Sequence, residues 1–215
     1  MIISHGRKYI FVHIPKTGGT SLSLALESKA MKDDILIGDT PKAKNRRTRI
    51  KPLQASGRLW KHARLRDIYG PVTQAQIESY FVFTIVRNPW DRMVSYYHWL
   101  KAQSFDHPAV GIAKICDFTD FLHDPSIRLT LQNDGASTYV SDKDGVDRCN
   151  LYLRMEHLAE DTNRLGRSLD LKLPDLPHHN PSLRRQDYTP YYDAQSQALI
   201  AGVFAKDIQK FSYSF

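Results

Sequence analysis

The stretch that most constrains this chain runs from Tyr9 to Leu26, YIFVHIPKTGGTSLSLAL. Tyr9 to Ile14 is a short, mostly apolar run rich in β-branched and aromatic residues and bounded by Pro15, the pattern of a buried strand. Gly18 and Gly19 break the run, and from Thr20 onward Leu22, Leu24, Ala25 and Leu26 supply the apolar spacing of a helix. A strand, a tight loop and a helix in that order gather backbone N–H groups and the positive end of a helix dipole around one point. Glycine lets an anion approach the backbone closely, and Lys16, Thr17, Thr20 and Ser21 add a charge and hydroxyl donors. The loop reads as a cradle for phosphate or sulfate, with a plain Gly-Gly turn as the alternative.

A nucleotide loop of the Walker type carries its lysine after the glycines, as GxxxxGK[ST]. Here Lys16 precedes them, so an ordinary ATP or GTP loop does not fit. The chain has 215 residues with no repeat and no Gly/Ser linker, which predicts one domain spanning 1–215. A net charge of +7 and a pI near 9.4 favour anionic partners. A nucleotide, an acidic glycan, nucleic acid or a membrane surface would each answer to that charge. Cys116 and Cys149 lie far apart with no C-x-x-C, and His178 and His179 are the nearest approach to a histidine cluster, so no disulfide framework and no metal site are expected. The opening MIISHGRKYIF has no long apolar segment, which predicts neither a signal peptide nor a membrane span and hence a soluble, cytoplasmic protein.

Lys42 to Lys51, KAKNRRTRIK, is almost devoid of apolar residues and predicts an exposed basic loop, either a docking surface for a polyanion or simply a solvated one. Leu59 to Gly70, LWKHARLRDIYG, is basic and partly amphipathic and contains His62, a residue type suited to general base work but more often found packing. Tyr80 to Val86 is an unbroken apolar run, as a central parallel strand demands. Asn88 offers an N-cap, Pro89 a first helical residue and Asp91 a first-turn acid. Trp90, Met93, Val94 and Tyr97 then direct one helix face to the core, leaving Arg87 at the strand's carboxyl end and Ser95 on another face. Ligands in open α/β sheets bind outside the carboxyl ends of strands, so the glycine loop and Arg87 are expected to open onto one edge.

With both stretches in view, PKTGGTS followed by VRNPWDRMVSYY resembles the donor-binding elements of sulfotransferases that use 3′-phosphoadenosine 5′-phosphosulfate (PAPS), and more particularly their carbohydrate branch. The resemblance implies an α/β fold of the sulfotransferase, P-loop NTPase-like kind, a single domain with a central parallel sheet flanked by helices. It implies transfer of a sulfuryl group from PAPS to a hydroxyl of a sugar or glycan, with 3′-phosphoadenosine 5′-phosphate (PAP) as product and no metal, nucleic-acid partner or membrane span. Lys16, Thr17, Gly18, Gly19, Thr20 and Ser21 match the loop that grips the 5′-phosphosulfate, and Arg87 with Ser95 the pair that binds the 3′-phosphate. Lys61-His62 stands where the family keeps its histidine base, and Lys16 is the second catalytic candidate. A glutamate serves as base in a subset, which brings in Glu27 and Glu78. Arg154, Glu156 and Leu158 resemble a strand-to-helix turn of the family, the closing helix with Leu199, Val203, Phe204, Ile208 and Phe211 its C-terminal part, and Arg184 and Arg185 a basic loop over the nucleotide. A P-loop-type kinase and a non-catalytic polyanion-binding module are the alternative functions.

Overall fold

The computed structural model describes residues 1–176 and 187–215. In chain order it has strands β1 (Ile2–Ser4) and β2 (Tyr9–Val12), helix α1 (Gly19–Ser28), strand β3 (Ile35–Leu36), helices α2 (Pro41–Asn45) and α3 (Gln74–Ser79), and strand β4 (Phe81–Val86). Helices α4 (Pro89–Lys101), α5 (Pro108–Ile115), α6 (Phe118–His123), α7 (Pro125–Gln132) and α8 (Ala136–Val140) follow. Strand β5 (Cys149–Arg154) and helices α9 (Leu158–Leu169), α10 (Ala194–Val203) and α11 (Ala205–Phe211) complete it. Two compact units result, one from Met1–Val86 and the segment that begins at Ala136, the other from Arg87–Gly135 and the segment that ends at Phe215.

The first unit is an α/β layer structure on a five-stranded sheet of order β3-β1-β2-β4-β5. Its centre is parallel, as the apolar runs predict: Val12 pairs with Thr84 and Val86 with Arg154. The sheet as a whole is mixed. Only His5 to Lys8 separate β1 from β2, too few residues for a crossover, so β1 must fold back antiparallel, with Ile2 opposite Phe11. β3 then adds antiparallel to β1. Phe11 and Phe83 face each other across β2 and β4 and stack with centroids 5.4 Å apart. Around them Leu22 and Leu26 of α1, Ile85, Leu153 and Leu165 close the core, each aliphatic side chain contributing about 1.5–3 kcal/mol by burial.

The basic segment after β3 is not a loop. Thr40 caps α2 by accepting from Ala43 N at 3.2 Å, and Pro41 takes the first helical position. Lys42 Nζ donates to the Glu27 carbonyl at 2.6 Å and Arg46 Nη1 to the Met31 carbonyl at 2.7 Å, so part of the charge holds the turn after α1. Lys44, Arg47, Arg49 and Lys51 remain exposed.

The second unit is helical. α4 buries Trp90, Met93, Val94, Tyr97 and Leu100 against Ala109, Val110, Phe118, Phe121, Ile200 and Phe204. Its burial is wider than the apolar spacing suggests, because Arg92 and Ser95 are buried too. Arg92 is compensated by the carboxylate and carbonyl of Asp134, at 2.7 and 2.9 Å. The expected closing helix is two helices, α10 and α11, joined at Phe204. No described helix is long and apolar enough to cross a membrane.

Candidate active site

β2 stops at Val12, two residues before the apolar run ends, and His13 and Ile14 lead into the loop. The buried Thr17 hydroxyl donates to the Ile14 carbonyl at 2.9 Å and closes that turn, so its side chain shapes the loop from within. Lys16 and Gly18 both have left-handed backbones, with φ 65° and 80°. Such a conformation costs a residue with a Cβ about 1–2 kcal/mol, a strain that Lys16 bears and Gly18 avoids. Gly18 caps α1 without a side-chain bond, and the first turn of α1 contains no acidic residue. The ladder of α1 begins with Ser21 N donating to the Gly18 carbonyl at 3.2 Å; Thr20 is half-buried and Ser21 buried on that first turn.

The glycines also answer to packing. A Cβ on Gly18 would meet Met155 Sδ at 2.5 Å, and one on Gly19 would run into the imidazole of His13. Met155 belongs to the turn between β5 and α9, where Arg154, exposed at the end of β5, donates its backbone N–H to Asp161 Oδ2 at 2.7 Å. Glu156 is exposed in the same turn, and Leu158 opens α9 and packs on the core. The strand-to-helix turn thus props the loop through Met155, a contact between distant segments with no signature in sequence.

His62 is brought to this loop. Its Nδ1 lies 2.8 Å from the carbonyl oxygen of His13. A carbonyl only accepts, so Nδ1 carries the hydrogen and Nε2 is the basic nitrogen of the neutral ring. The ring stands edge-on to His13, with centroids 4.8 Å apart, and to Trp60 at 5.2 Å. His13, which the sequence presents as one more strand residue, is buried with an unpartnered Nδ1. Burial holds its pKa well below the usual histidine range, and the amino terminus, His62 and Lys61 push the same way. The one signal for it was a polar residue closing an apolar run.

The two glutamates lie elsewhere. Glu27 is eight residues along α1 from Gly19, a rise of about 12 Å, and both its oxygens accept from Thr40 Oγ1, at 2.8 and 2.6 Å. Burial pushes its carboxyl up from the ordinary value. Glu78 is exposed on α3, accepts from Gln74 at 2.7 Å and pairs with Arg148 at 3.3 Å. α3 enters β4 at its amino end, whereas the loop leaves β2 at its carboxyl end. Since the two strands are parallel, Glu78 and the loop sit at opposite edges of the sheet.

In the second unit, Arg87 follows directly on Val86. Its Nε and Nη2 both reach Asp91 Oδ2 at 2.7 Å. Ser95 lies one turn beyond Asp91 on the same helix face and is buried. Asn88 Oδ1 accepts from Trp90 N at 3.0 Å and Asp91 N at 3.5 Å, while its Nδ2 donates to Tyr188 Oη and the Ser214 carbonyl at 3.1 and 2.9 Å. Arg184 and Arg185 lie outside the described residues. Sequence reasoning missed His13, Met155 and Asp91 as neighbours of the candidate residues.

The first unit therefore offers a helix N-terminus without cap or acid, behind a strained loop bearing Lys16, and an imidazole whose Nδ1 is turned to the His13 carbonyl, which leaves Nε2 as its other nitrogen. That combination suits an anion at the loop and a proton acceptor beside it. A family model described as "Sulfotransferase family" matches residues 1–214. Among curated proteins, none matches the sequence. Among solved structures, that of mouse sulfotransferase SULT7A1 complexed with PAP is similar in fold, with a TM-score of 0.55 at 14% identity, covering 94% of this chain and 84% of that one.

Proposed function

The chain belongs to the sulfotransferase family, and from that premise we propose that it moves a sulfuryl group from PAPS to a hydroxyl of a sugar or glycan, as one functional domain over 1–215. The observation that carries this reading is the pairing of His62 Nδ1 with the carbonyl at the root of the PKTGGTS loop, which sets a general base beside an anion cradle. The loop fits a phosphosulfate. Its glycines turn their Cβ positions into the protein, against Met155 and His13, and α1 brings no acid of its own to compete with an anion.

PAPS supplies the sulfuryl group, which passes in line from the 5′-phosphate oxygen to the acceptor oxygen as one S–O bond breaks and another forms. His62 Nε2 takes the acceptor hydroxyl's proton, while the Nδ1 hydrogen bond to His13 stabilises the imidazolium. His13 stays neutral, so the pair carries a single positive charge. Lys16 opposes the negative charge that builds on the departing phosphate, and the backbone of Thr17 to Thr20 with the first turn of α1, Ser21 included, holds the remaining oxygens. Arg87 and Ser95 bind the 3′-phosphate, Asp91 holding the Arg87 fork in one orientation until it does. Glu27 and Glu78 take no part, because each has other partners and neither lies near the loop.

The test has two readouts. PAP should raise the melting temperature by binding the folded chain, and Arg87→Ala should weaken that shift more for PAP than for adenosine 5′-phosphate, which lacks the 3′-phosphate. Turnover of sulfate-labelled PAPS with a panel of saccharides should identify the acceptor. No PAP shift together with Mg²⁺-dependent ATP hydrolysis would replace this reading with the kinase one.

A further inference from the structure

Close to His62 lies an exposed aromatic that the reaction so far leaves unused. Trp60 is 43% exposed, although tryptophan is among the side chains that gain most from burial. Its indole meets the His62 ring edge-on at 5.2 Å, with the planes 85° apart. The Arg58 guanidinium lies 5.5 Å from the indole centroid, and no described carboxylate forms an ion pair with it. Arg58 is itself exposed. Three residues further along, Lys61 pairs with the exposed Asp39, at 3.6 Å. The surface beside the base thus carries an apolar plate and two cations, and no other described carboxylate is paired with either.

We propose that Trp60 and Arg58 form the acceptor platform: a pyranose ring lies with its C–H face against the indole, and an anionic substituent of that ring, a carboxylate or a sulfate, meets Arg58. The proposal rests on the reading of His62 as base. A ring seated on Trp60 presents its edge hydroxyls toward the neighbouring imidazole, so the plate selects which hydroxyl reaches Nε2, and Arg58 selects the sugar that carries a charge. A fully neutral sugar would leave Arg58 without a gain to set against its lost hydration, a discrimination of the kind that polar partners impose. The arginine above the indole also favours a guanidinium–carboxylate pairing over a lysine's point charge.

The probe is a tetrasaccharide of alternating glucuronic acid and N-acetylhexosamine, compared with its carboxyl-reduced form, in which each acid is a neutral hexose. Binding is read by calorimetry on protein saturated with PAP, with the PAP melting shift recorded for every variant. The acidic form should bind at least tenfold tighter than the reduced form. Trp60→Ala should weaken both by tenfold or more, and Arg58→Gln should weaken the acidic form to the level of the reduced one, both variants keeping the PAP shift. Equal wild-type affinity for the two saccharides, no binding of either, tighter binding of a phenol such as tyramine, or unchanged affinity in Trp60→Ala overturns the platform. Loss of the PAP shift in the unsubstituted protein overturns the donor reading instead, and the saccharide titration without PAP then still decides the platform.

Discussion

Two helices of this chain follow directly on parallel strands, and their first turns are built in opposite ways. α4 begins with Asn88 capping two backbone N–H groups, Pro89 in the first position and Asp91 in the first turn. Its positive end is satisfied by its own residues. α1 begins with left-handed Gly18, no side-chain cap and no acid, behind a strained Lys16. A helix that only had to be stable would take the first solution. The second leaves the dipole for something else to neutralise, and it is this helix that starts beside the imidazole of His13. The contrast sets a helix end closed by its own residues against one that they leave open.

The largest effect should come from His62, the proposed base. His62→Ala is expected to lower turnover by about a hundredfold to ten-thousandfold while keeping the PAP melting shift. A general base must be neutral to accept a proton, so wild-type turnover should fall on the acid side, and the variant should lose that dependence. Near-normal turnover with the acid limb intact would make His62 a bystander.

Next comes Gly19→Ala. A methyl in the first turn of a helix ordinarily stabilises, but here it enters the His13 ring, and a loss of about 1–3 kcal/mol is expected from chemical denaturation. The same ring sets a pH dependence. His13 is neutral in the fold because its pKa is held down, whereas the unfolded chain takes that proton near pH 6.5. Its contribution to stability is therefore whole above about pH 6.5 and drains as pH falls, by up to about 1.36 kcal/mol per pH unit. His13→Phe should flatten that acid slope, and an unchanged slope would mean that the ring charges without cost.

Thr20→Asp attacks the comparison itself by giving α1 the first-turn acid that α4 already has. Helix stability should hold or rise by about 0.3–1 kcal/mol, yet PAP affinity should fall tenfold or more, because the carboxylate occupies the field meant for the anion. Unimpaired PAP binding would show that the α1 end is not the anion site. The smallest effect is expected at the other helix: Asn88→Ala should cost about 1 kcal/mol of stability through the lost cap, read from the denaturation midpoint.

Much of this was legible in the residues. The parallel pairing of β4 on both sides follows from the unbroken apolar run Tyr80 to Val86, since a strand covered on both faces cannot afford alternation. The α4 start was readable from Asn88-Pro89 because a cap is a local matter of two or three residues. The antiparallel β1 was not singled out, its strand being only Ile2–Ser4, too short for a periodicity. The basic stretch looked like a loop because the value of Lys42 and Arg46 lies in carbonyl oxygens of another segment.

The amino-acid sequence by itself determined the strand–loop–helix order around PKTGGTS, the capped start of α4 and the excess of positive charge, because local backbone preference and spacing decide each of these. Only the tertiary structure decided that the Nδ1 of His62 finds the carbonyl of His13, that Met155 and His13 fill the space behind the glycines, and that Arg87 is held by Asp91. It also gave Glu27 and Glu78 their hydrogen-bond partners, Thr40 and Gln74. Those are relations between side chains from separate segments or on one helix face, and their direction is set by packing and burial rather than by the identity of neighbours in the chain.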